Sequence, residues 1–258
     1  MIELYDKILA QNAELQRANA SKDEFLGLVS HELKTPITTI VTASALIRQR
    51  MGPGEEGLID DLDAEAERLA GIVDNLLALA RLDAGASSPV EPVLLNRLAQ
   101  QETERAARRD TTREYPFGAD GEAVVDAVPE QISMVLRNFL ANAAKYSPIG
   151  SPISVRVSTG EGNAVLAVHD EGQQLKPNEV EQVFVPFYRS EWADKHTTGV
   201  GIGLAVCRRV AEALGGKVDI ALGPDATGGA GTEFRLQLPL AASDVEPAPS
   251  PAPALATA

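Results

Sequence analysis

Cysteine and aromatic residues are scarce in this chain of 258 residues, which contains one cysteine, Cys207, and only 4% aromatic residues. A single cysteine excludes an intramolecular disulfide and is typical of a reducing compartment. Because aromatic side chains are few, leucine, valine, isoleucine and alanine must fill the core. The sequence also lacks a run of the roughly 18 apolar residues that a membrane-spanning helix needs, and it lacks a signal-peptide pattern at its N-terminus. These absences predict a cytoplasmic chain without a membrane segment.

Positive charge is also in short supply. The sequence has 23 lysine and arginine residues against 37 aspartate and glutamate residues, which gives a formal net charge of −14. This balance argues against a nucleic-acid partner, because such proteins gain affinity by neutralising phosphates. It argues equally against binding to an anionic membrane surface. The length is sufficient for one or two domains with cores of their own.

The first third of the chain has helical periodicity. Residues 1–22 carry an imperfect heptad pattern, which favours a short coiled coil over a frayed end. A helix is predicted over 23–51, where Gly52-Pro53-Gly54 ends it, and a second helix over 56–83. The second helix repeats small and apolar residues at steps of four and three: Leu62, Ala66, Leu69, Val73, Leu76 and Ala80. Because two antiparallel helices bury only one stripe each, we predict a 23–84 hairpin that dimerises into a four-helix bundle.

The pattern changes after a small, polar linker at 85–91. Strands followed by interspersed helices predict a two-layer α/β sandwich over 92–240. Residues 171–199 have little periodicity and are expected to form a loop with one helical turn. The proline- and alanine-rich segment 241–258 cannot bury enough surface to order itself and is predicted to be disordered. The predicted helices are 94–109, 130–145 and 204–214, and the predicted strands are 115–119, 123–127, 152–159, 163–170, 217–222 and 232–240.

The heptapeptide Ser30-His-Glu-Leu-Lys-Thr-Pro36 interrupts the first predicted helix. A proline inside a helix costs about 3 kcal/mol, so the segment calls for a chemical reason. His31 lies on the solvent face, away from the apolar seam, and a neutral imidazole is a competent nucleophile. Glu32 can accept a proton, and Thr35 at i+4 shares the face with His31. An isolated histidine would be interpreted as an ordinary surface residue, as we interpret the other two histidines, but these neighbours favour a nucleophile.

A stripe of polar side chains marks the 130–145 helix. Asn138, Asn142 and Lys145 follow one another at i, i+4 and i+7 and therefore share a face. Amide oxygens are suitable ligands for Mg²⁺, and an ammonium group can meet a phosphate. Taken alone, the stripe fits a solvated helix face equally well.

Asp170 ends a predicted strand in which it shares a face with Leu166 and Val168. The two apolar side chains should point into the core, so the carboxylate of Asp170 would point inward too. A buried carboxylate needs a donor, and an adenine amino group would serve. The alternative is a turn aspartate that precedes Gly172.

Closely spaced glycines occur in Thr198-Gly199-Val-Gly201-Ile-Gly203-Leu204, directly before a predicted helix. Glycines followed by helical N–H groups make a cradle for an anion. The segment is neither a Walker A loop, because no Gly-Lys-Ser/Thr follows, nor a dinucleotide fingerprint, because Val206 replaces the third glycine. A second small loop ends at Thr232, where an ordinary hairpin connection is an equally good interpretation.

These motifs, in this order and with the segment Phe184-Val-Pro-Phe187-Tyr188-Arg189, closely resemble the sensor histidine kinases of two-component systems. The resemblance runs from about Ser21 to Leu240. It implies a dimerisation and histidine-phosphotransfer hairpin followed by a catalytic ATP-binding domain of the type shared by gyrase, Hsp90, histidine kinases and MutL. It further implies ATP and Mg²⁺ as ligands, a homodimer, and a response-regulator receiver domain as partner. The chain would be cytoplasmic, either whole or as the cytoplasmic part of a larger sensor.

The same resemblance implies residue roles. His31 is implied as the phosphoacceptor, Glu32 as its general base, and Thr35 as the residue that positions water when phosphate is removed from the regulator. Asn142 is implied as the Mg²⁺ ligand, with Asn138 assisting. Nucleotide contacts are implied for Lys145, Tyr146, Asp170, Gly172, Arg189, Gly199, Gly201, Gly203, Leu204 and Thr232.

One position departs from the family pattern. The family usually reads Asp-x-Gly-x-Gly, and this chain has Gln174 in place of the second glycine. The resemblance implies that the segment with Phe184, Phe187, Tyr188 and Arg189 is a lid over the nucleotide, with Arg189 a phosphate contact. If position 174 requires a positive φ, glutamine costs about 1 kcal/mol or more there, and the hinge of this lid is stiffer or displaced. An alternative function therefore stays open: a module that binds a response regulator and removes its phosphate, with weak or absent kinase activity. A dimeric scaffold without catalysis would leave the order of the motifs unexplained.

Overall fold

The structure is a computed structural model that describes residues 56–84, 88–172, 174–197, 200–223 and 231–241, together with eight positions between Ile37 and Ile47. Those eight positions are helical, as predicted for the first hairpin helix. The predicted coiled coil, the heptapeptide with His31, Glu32 and Thr35, the residue Gly199 and nearly all of the predicted tail lie outside the described residues. Among the helices that are described, none is both long enough and apolar enough to cross a bilayer.

The predicted second hairpin helix is α1 (Glu56–Asp83), a helix of 28 residues. Its seam is buried on one side only: Ala66, Val73 and Ala80 are buried. Leu62 and Leu69, which alternate with them, are 44% and 38% exposed. The C-terminal half of α1 packs its leucines against the core of the following α/β half, through Leu76, Leu79 and Leu82.

Every helix and strand predicted for the α/β half forms, with ends within two residues of the predicted ones. The helices are α2 (Leu95–Arg109), α3 (Pro129–Tyr146), α4 (Glu191–His196) and α5 (Gly203–Ala213). The strands are β1 (Glu91–Leu94), β2 (Phe117–Asp120), β3 (Val124–Ala127), β4 (Ile153–Gly160), β5 (Asn163–Asp170), β6 (Lys217–Leu222) and β7 (Thr232–Pro239). The short strand β1 was not predicted, and the 171–199 segment contains a 3₁₀ turn, Gln182–Phe184, as well as α4.

The main sheet has five strands in the order β2-β4-β5-β7-β6. Its pairs are antiparallel except for β2, which runs parallel to β4. The three long strands β4, β5 and β7 bury alternate residues, so one face of the sheet is covered by helices. The core between the layers is aliphatic and includes one stacked pair of aromatic rings, Phe139 of α3 and Phe234 of β7. This is the predicted two-layer α/β sandwich. A separate two-stranded sheet pairs β1 with β3.

Candidate active site

A cavity of about 1210 Å³ lies where α1, α3, the segment around α4, and the start of α5 meet the end of β5. Ten residues that the sequence motifs singled out line it, and they come from five separate stretches of chain. These residues are Asn138, Asn142, Lys145, Tyr146, Asp170, Arg189, Gly201, Gly203, Leu204 and Thr232. The fold therefore brings the scattered motifs to one place.

The helix α3 presents its polar stripe to this cavity because its opposite face is buried. Pro129 stands in the first turn, where its missing N–H costs nothing, and Lys145 lies in the last turn. Six apolar residues of α3 are buried against the sheet: Ile132, Val135, Leu136, Phe139, Leu140 and Ala143. The periodicity of the helix then leaves Asn138, Asn142 and Lys145 on the cavity side.

Asp170 is 1% exposed, which confirms the prediction that its carboxylate points inward. Burial raises the pKa of Asp170 to about 6, and hydrogen bonds from the Gly172 amide and from Ser147 oppose that rise only in part. The Gly172 N–H donates to Oδ1 of Asp170 at 2.7 Å. A carboxylate has room for further donors, so Asp170 is suited to bind an amino group inside the cavity.

Gly172 is required by close approach. A Cβ atom at this position would lie 2.5 Å from the carbonyl oxygen of Tyr146 and 2.6 Å from Oδ1 of Asp170. Only glycine lets the backbone after β5 pack against the end of α3 while it donates to Asp170. Gly172 itself does not line the cavity, so it serves the site by orienting Asp170 and not by direct contact with a ligand.

The strain expected at Gln174 is absent. The non-glycine residues with positive φ in the described part of the chain are Glu161 and Phe187, so Gln174 does not occupy a left-handed conformation. Its side-chain Nε2 instead donates to the carbonyl oxygen of Gly231 at 3.1 Å. The premise of a positive φ is therefore not met, so the predicted cost of about 1 kcal/mol for glutamine does not apply at this position.

The glycine motif and the segment around Phe187 are joined by backbone contacts. Gly201 has φ +74°, and a Cβ there would lie 2.5 Å from the carbonyl oxygen of Tyr188. The N–H of Phe187 donates to the carbonyl oxygen of Gly201 at 2.8 Å. Phe187 has φ +67° although it is a bulky residue, and its ring is exposed. A non-glycine residue in this region is strained, which is a common feature of functional loops.

Arg189, predicted to contact phosphate, is held within the wall of the cavity. Its Nη2 donates to the carbonyl oxygens of Ala193 and Thr197, both at 2.6 Å. Trp192 of α4 was not singled out by the sequence. Its ring stacks on His196 at 4.8 Å and lies 6.0 Å from the ring of Tyr146, so aromatic groups cover one side of the cavity. The weak periodicity of residues 171–199 gave no signal for this cluster.

The hairpin helix α1 also reaches the site. Nδ2 of Asn75 donates to Oδ1 of Asn138 at 3.1 Å, and Nδ2 of Asn138 donates to Oδ1 of Asn75 at 3.0 Å. Gly71, Asp74 and Asn75 are part of the cavity wall. A contact between residues 63 positions apart leaves no trace in a single sequence, so Asn75 was missed.

Comparison with known families gives two matches that follow one another along the chain. Residues 21–85 match the family described as His Kinase A (phospho-acceptor) domain. Residues 127–242 match the family described as histidine kinase-, DNA gyrase B-, and HSP90-like ATPase. The first match includes α1, and the second includes every residue found in the cavity wall from α3 onward.

Curated relatives agree with these matches. The circadian input-output histidine kinase CikA of Synechococcus elongatus is 30% identical over 93% of this chain and 33% of its own length. The signal transduction histidine-protein kinase/phosphatase MprB of Mycolicibacterium smegmatis is 33% identical over 82% of this chain and 45% of its own length. The chain spans between a third and a half of the length of the curated relatives it matches.

Solved structures give the same result. A mycobacterial sensor histidine kinase MprB structure is 30% identical, with a TM-score of 0.52, and the match covers 58% of this chain and 97% of that one. Full-length ShkA, solved in complex with AMPPNP, is 24% identical with a TM-score of 0.65, over 85% of this chain and 46% of that one, and shares the fold. On these matches and on the geometry of its cavity, the chain belongs to the sensor histidine kinases of two-component systems.

Proposed function

We propose that this protein is an ATP-dependent histidine kinase that phosphorylates its own His31 and passes the phosphoryl group to an aspartate of a response-regulator receiver domain. The observation that carries the proposal is the convergence of ten motif residues from five stretches of chain on one cavity. In this proposal residues 23–84 form the phosphotransfer hairpin, 85–91 the linker and 92–240 the ATP-binding domain. Residues 1–22 form a coiled coil that leads into the hairpin.

The walls of the cavity fit an adenine nucleotide. Asp170 supplies a buried acceptor for the adenine amino group, and Tyr146 supplies an aromatic surface beside it. The glycine segment that includes Gly201 and Gly203 leads into α5, whose N-terminal N–H groups attract phosphate. Lys145 and Arg189 add positive charge, and Gly199, Leu204 and Thr232 complete the contacts.

Mg²⁺ fits the amide oxygens of Asn142 and Asn138, which are hard ligands on the cavity side of α3. The described residues contain no cluster of three or more His, Cys, Asp or Glu side chains, so the phosphates themselves would supply most of the negative ligands. When bound, the ion neutralises charge on the phosphates. Asn142 and Asn138 would hold the ion, and Asn138 is the one of the two that also contacts α1.

In the proposed reaction a ring nitrogen of His31 attacks the γ-phosphorus. A P–N bond forms while the bond to the bridging oxygen breaks, and ADP leaves with that electron pair. Glu32 takes the N–H proton of the imidazole ring. Most of the rate enhancement comes from positioning and electrostatic stabilisation.

The protein acts as a homodimer in this proposal, because α1 leaves half of its seam exposed. Leu62 and Leu69 face solvent in the single chain, while Ala66 and Val73 on the alternate positions are buried. A second hairpin would cover the two leucines and complete a four-helix bundle. We place the reaction in the cytoplasm, where ATP and response regulators are available.

The test is labelling of the purified protein with γ-³²P-ATP and Mg²⁺. Wild-type protein should acquire an acid-labile, base-stable label, as expected of a phosphohistidine, and His31→Ala should acquire none. The variant should bind MgATP as tightly as wild type, because His31 is not part of the nucleotide cavity in this proposal. Equal labelling of the variant would contradict the proposal.

The second candidate function is dephosphorylation of a response regulator with weak kinase activity. Two observations favour it: the relative MprB is named a kinase/phosphatase, and Asn75 occupies Asn138, one of the proposed Mg²⁺ ligands. In this function Thr35 positions the attacking water. Receiver domains phosphorylated with acetyl phosphate, incubated with wild type and Thr35→Ala, would reveal it as phosphate loss that depends on Thr35. Autophosphorylation at an ordinary rate would exclude the version without kinase activity.

A further inference from the structure

Arg113, in the loop between α2 and β2, is a buried arginine whose side chain is 5% exposed. Its guanidinium group reaches the C-terminal end of α3. Nη1 donates to the carbonyl oxygen of Pro148 at 2.7 Å, and Nη2 donates to the carbonyl oxygens of Ala144 and Ser147 at 2.9 and 3.4 Å. Nε donates to Oδ2 of Asp110 at 3.0 Å. One side chain therefore holds three carbonyl groups in a fixed arrangement.

This arrangement supplies hydrogen-bond donors to the carbonyl groups at the C-terminal end of α3. The last carbonyl groups of a helix have no partner within the helix, and the helix end carries partial negative charge. A guanidinium group supplies several donors in a planar fork and a positive charge at the same place. Arg113 is thus a side-chain cap that arrives from a distant part of the chain, since it lies 31 residues before Ala144.

The segment that Arg113 holds is one wall of the proposed base pocket. Tyr146 lines the cavity, and Ser147, whose hydroxyl donates to the carbonyl oxygen of Ala143, lies close enough to Asp170 to lower the pKa of that carboxyl. The carbonyl oxygen of Tyr146 lies against Gly172, whose N–H orients the Asp170 carboxylate. A shift of the α3 end would therefore move the aromatic wall and the carboxylate relative to each other.

Arg113 also acts on Asp170 through its charge. The guanidinium group lowers the pKa of Asp170 and so opposes the effect of burial, which is the largest influence on that carboxyl. Arg113 is not part of the cavity wall, so it acts on a ligand only through other residues.

We propose that Arg113 is a positioning residue for nucleobase recognition: it fixes the end of α3 so that Tyr146 and Ser147 stay in register with the Asp170 carboxylate. This role rests on the proposed ATP binding. It predicts that Arg113 determines the preference for adenine over guanine. Adenine presents an amino group that can donate a hydrogen bond to Asp170, whereas guanine presents a carbonyl group at the same place.

The test compares Arg113→Met and Arg113→Lys with Arg156→Met, which removes an exposed arginine of β4. The dissociation constants of MgATP and MgGTP are measured for each protein between pH 5.5 and 8.5, together with the thermal midpoint. Arg113→Met should weaken MgATP binding about tenfold at pH 7.5 and leave MgGTP binding within about twofold. Its loss of MgATP affinity on acidification should begin at a higher pH than in wild type. Arg113→Lys should keep the wild-type pH profile but lose part of the preference for ATP.

A purely structural cap would give a different result. The thermal midpoint would fall, but the folded protein would keep the wild-type ratio of the MgATP and MgGTP dissociation constants and the wild-type pH dependence of MgATP binding. This result would overturn the proposal. If Arg113→Met does not fold, the ratio measured for Arg113→Lys decides in the same way. Wild-type protein that fails to bind MgATP would overturn the proposed function itself, whereas wild-type binding with an unchanged ratio in the variants would overturn only the role of Arg113.

Discussion

Asn75 of α1 and Asn138 of α3 exchange two side-chain hydrogen bonds, so the hairpin helix occupies an amide that faces the nucleotide cavity. In this arrangement the Asn138 oxygen accepts from Asn75 and is less available to a cation. If Asn138 is a Mg²⁺ ligand as proposed, docking of α1 and binding of a magnesium nucleotide compete for one group. By linkage, docking of α1 should weaken nucleotide binding by the same factor by which the nucleotide weakens docking, so a substitution that loosens α1 should strengthen nucleotide binding.

Asn75→Ala should therefore bind MgATP more tightly than wild type. Each amide hydrogen bond contributes about 0.5–1.5 kcal/mol, so the gain in affinity should be about threefold to tenfold, and the initial rate of autophosphorylation should rise with it at low ATP concentration. Isothermal titration calorimetry measures the affinity. Gln100→Ala, which removes an exposed amide on α2, is the matched control and should leave the affinity unchanged. An Asn75→Ala variant with equal or weaker MgATP binding would contradict the competition.

Asp170→Asn should raise the free energy of unfolding of the nucleotide-free protein. The pKa of Asp170 is about 6 in the folded chain against an ordinary value of 3.8, so the folded state binds the proton more tightly than the unfolded state. Ionisation of Asp170 thus lowers the free energy of unfolding as pH rises from about 4 to 6, by at most about 3 kcal/mol. The variant removes this cost. Urea denaturation should therefore show a higher free energy of unfolding for Asp170→Asn than for wild type at pH 7.5, and the difference should shrink towards pH 4.

The control for that experiment is Asp120→Asn, which neutralises an exposed carboxylate and should change stability little at any pH. A gain in Asp170→Asn that is as large at pH 4 as at pH 7.5 would show that ionisation of the carboxyl is not the cause.

The affinity of wild-type protein for MgATP should fall as pH drops below about 6. In the proposed binding mode the adenine amino group donates to an ionised Asp170, and burial raises the pKa of this carboxyl into that range. The MgATP affinity measured from pH 5 to 8 should be constant above about pH 6 and should decline below it, which gives the pH profile an acid limb near pH 6. Asp170→Asn should bind weakly at every pH and lose this limb, whereas a limb that persists in the variant would assign the pH dependence to another group.

Gly201→Ala should disturb the joint between the glycine motif and the Phe187 segment. A residue with a Cβ costs about 1–2 kcal/mol at φ +74°, and the added atom would also press on the carbonyl oxygen of Tyr188. We expect a lower thermal midpoint and weaker MgATP binding. Gly118→Ala is the matched control, because a Cβ at Gly118 meets no atom within 4 Å. Equal effects of the two substitutions would contradict a special role for Gly201.

Gln174→Gly should not raise kinase activity. Gln174 does not have a positive φ, so glycine relieves no strain there, and the hydrogen bond to Gly231 is lost. The substitution should instead lower the free energy of unfolding by about 0.5–1 kcal/mol, since glycine is more flexible in the unfolded chain. Initial rates of labelling with γ-³²P-ATP measure the effect on activity. A severalfold faster rate in the variant would restore the idea that glutamine restrains the lid.

Sequence periodicity predicted the frame of the site well. The spacing of Asn138, Asn142 and Lys145 placed them on one face of a helix, and the alternation that ends at Asp170 placed its carboxylate inside. Both predictions rest on local geometry, which a sequence contains directly.

Contacts between distant segments were not predictable in the same way. Asn75 meets Asn138 and Arg113 meets the end of α3 only after the chain has folded, and neither position belongs to a periodic pattern. The conformation at Gln174 was also beyond the sequence, because a residue type restricts φ without determining it. The pairing of Trp192 with His196 and Tyr146 lies in the segment whose pattern was weakest.

The single tryptophan of the chain is Trp192, and it stands in the wall of the cavity between His196 and Tyr146. Fluorescence excited at wavelengths that tyrosine does not absorb would therefore come from this indole alone. Its emission should respond when a nucleotide displaces water from the cavity. The protein thus carries a built-in optical probe at the edge of its binding site, so that occupancy can be followed in unlabelled protein in real time.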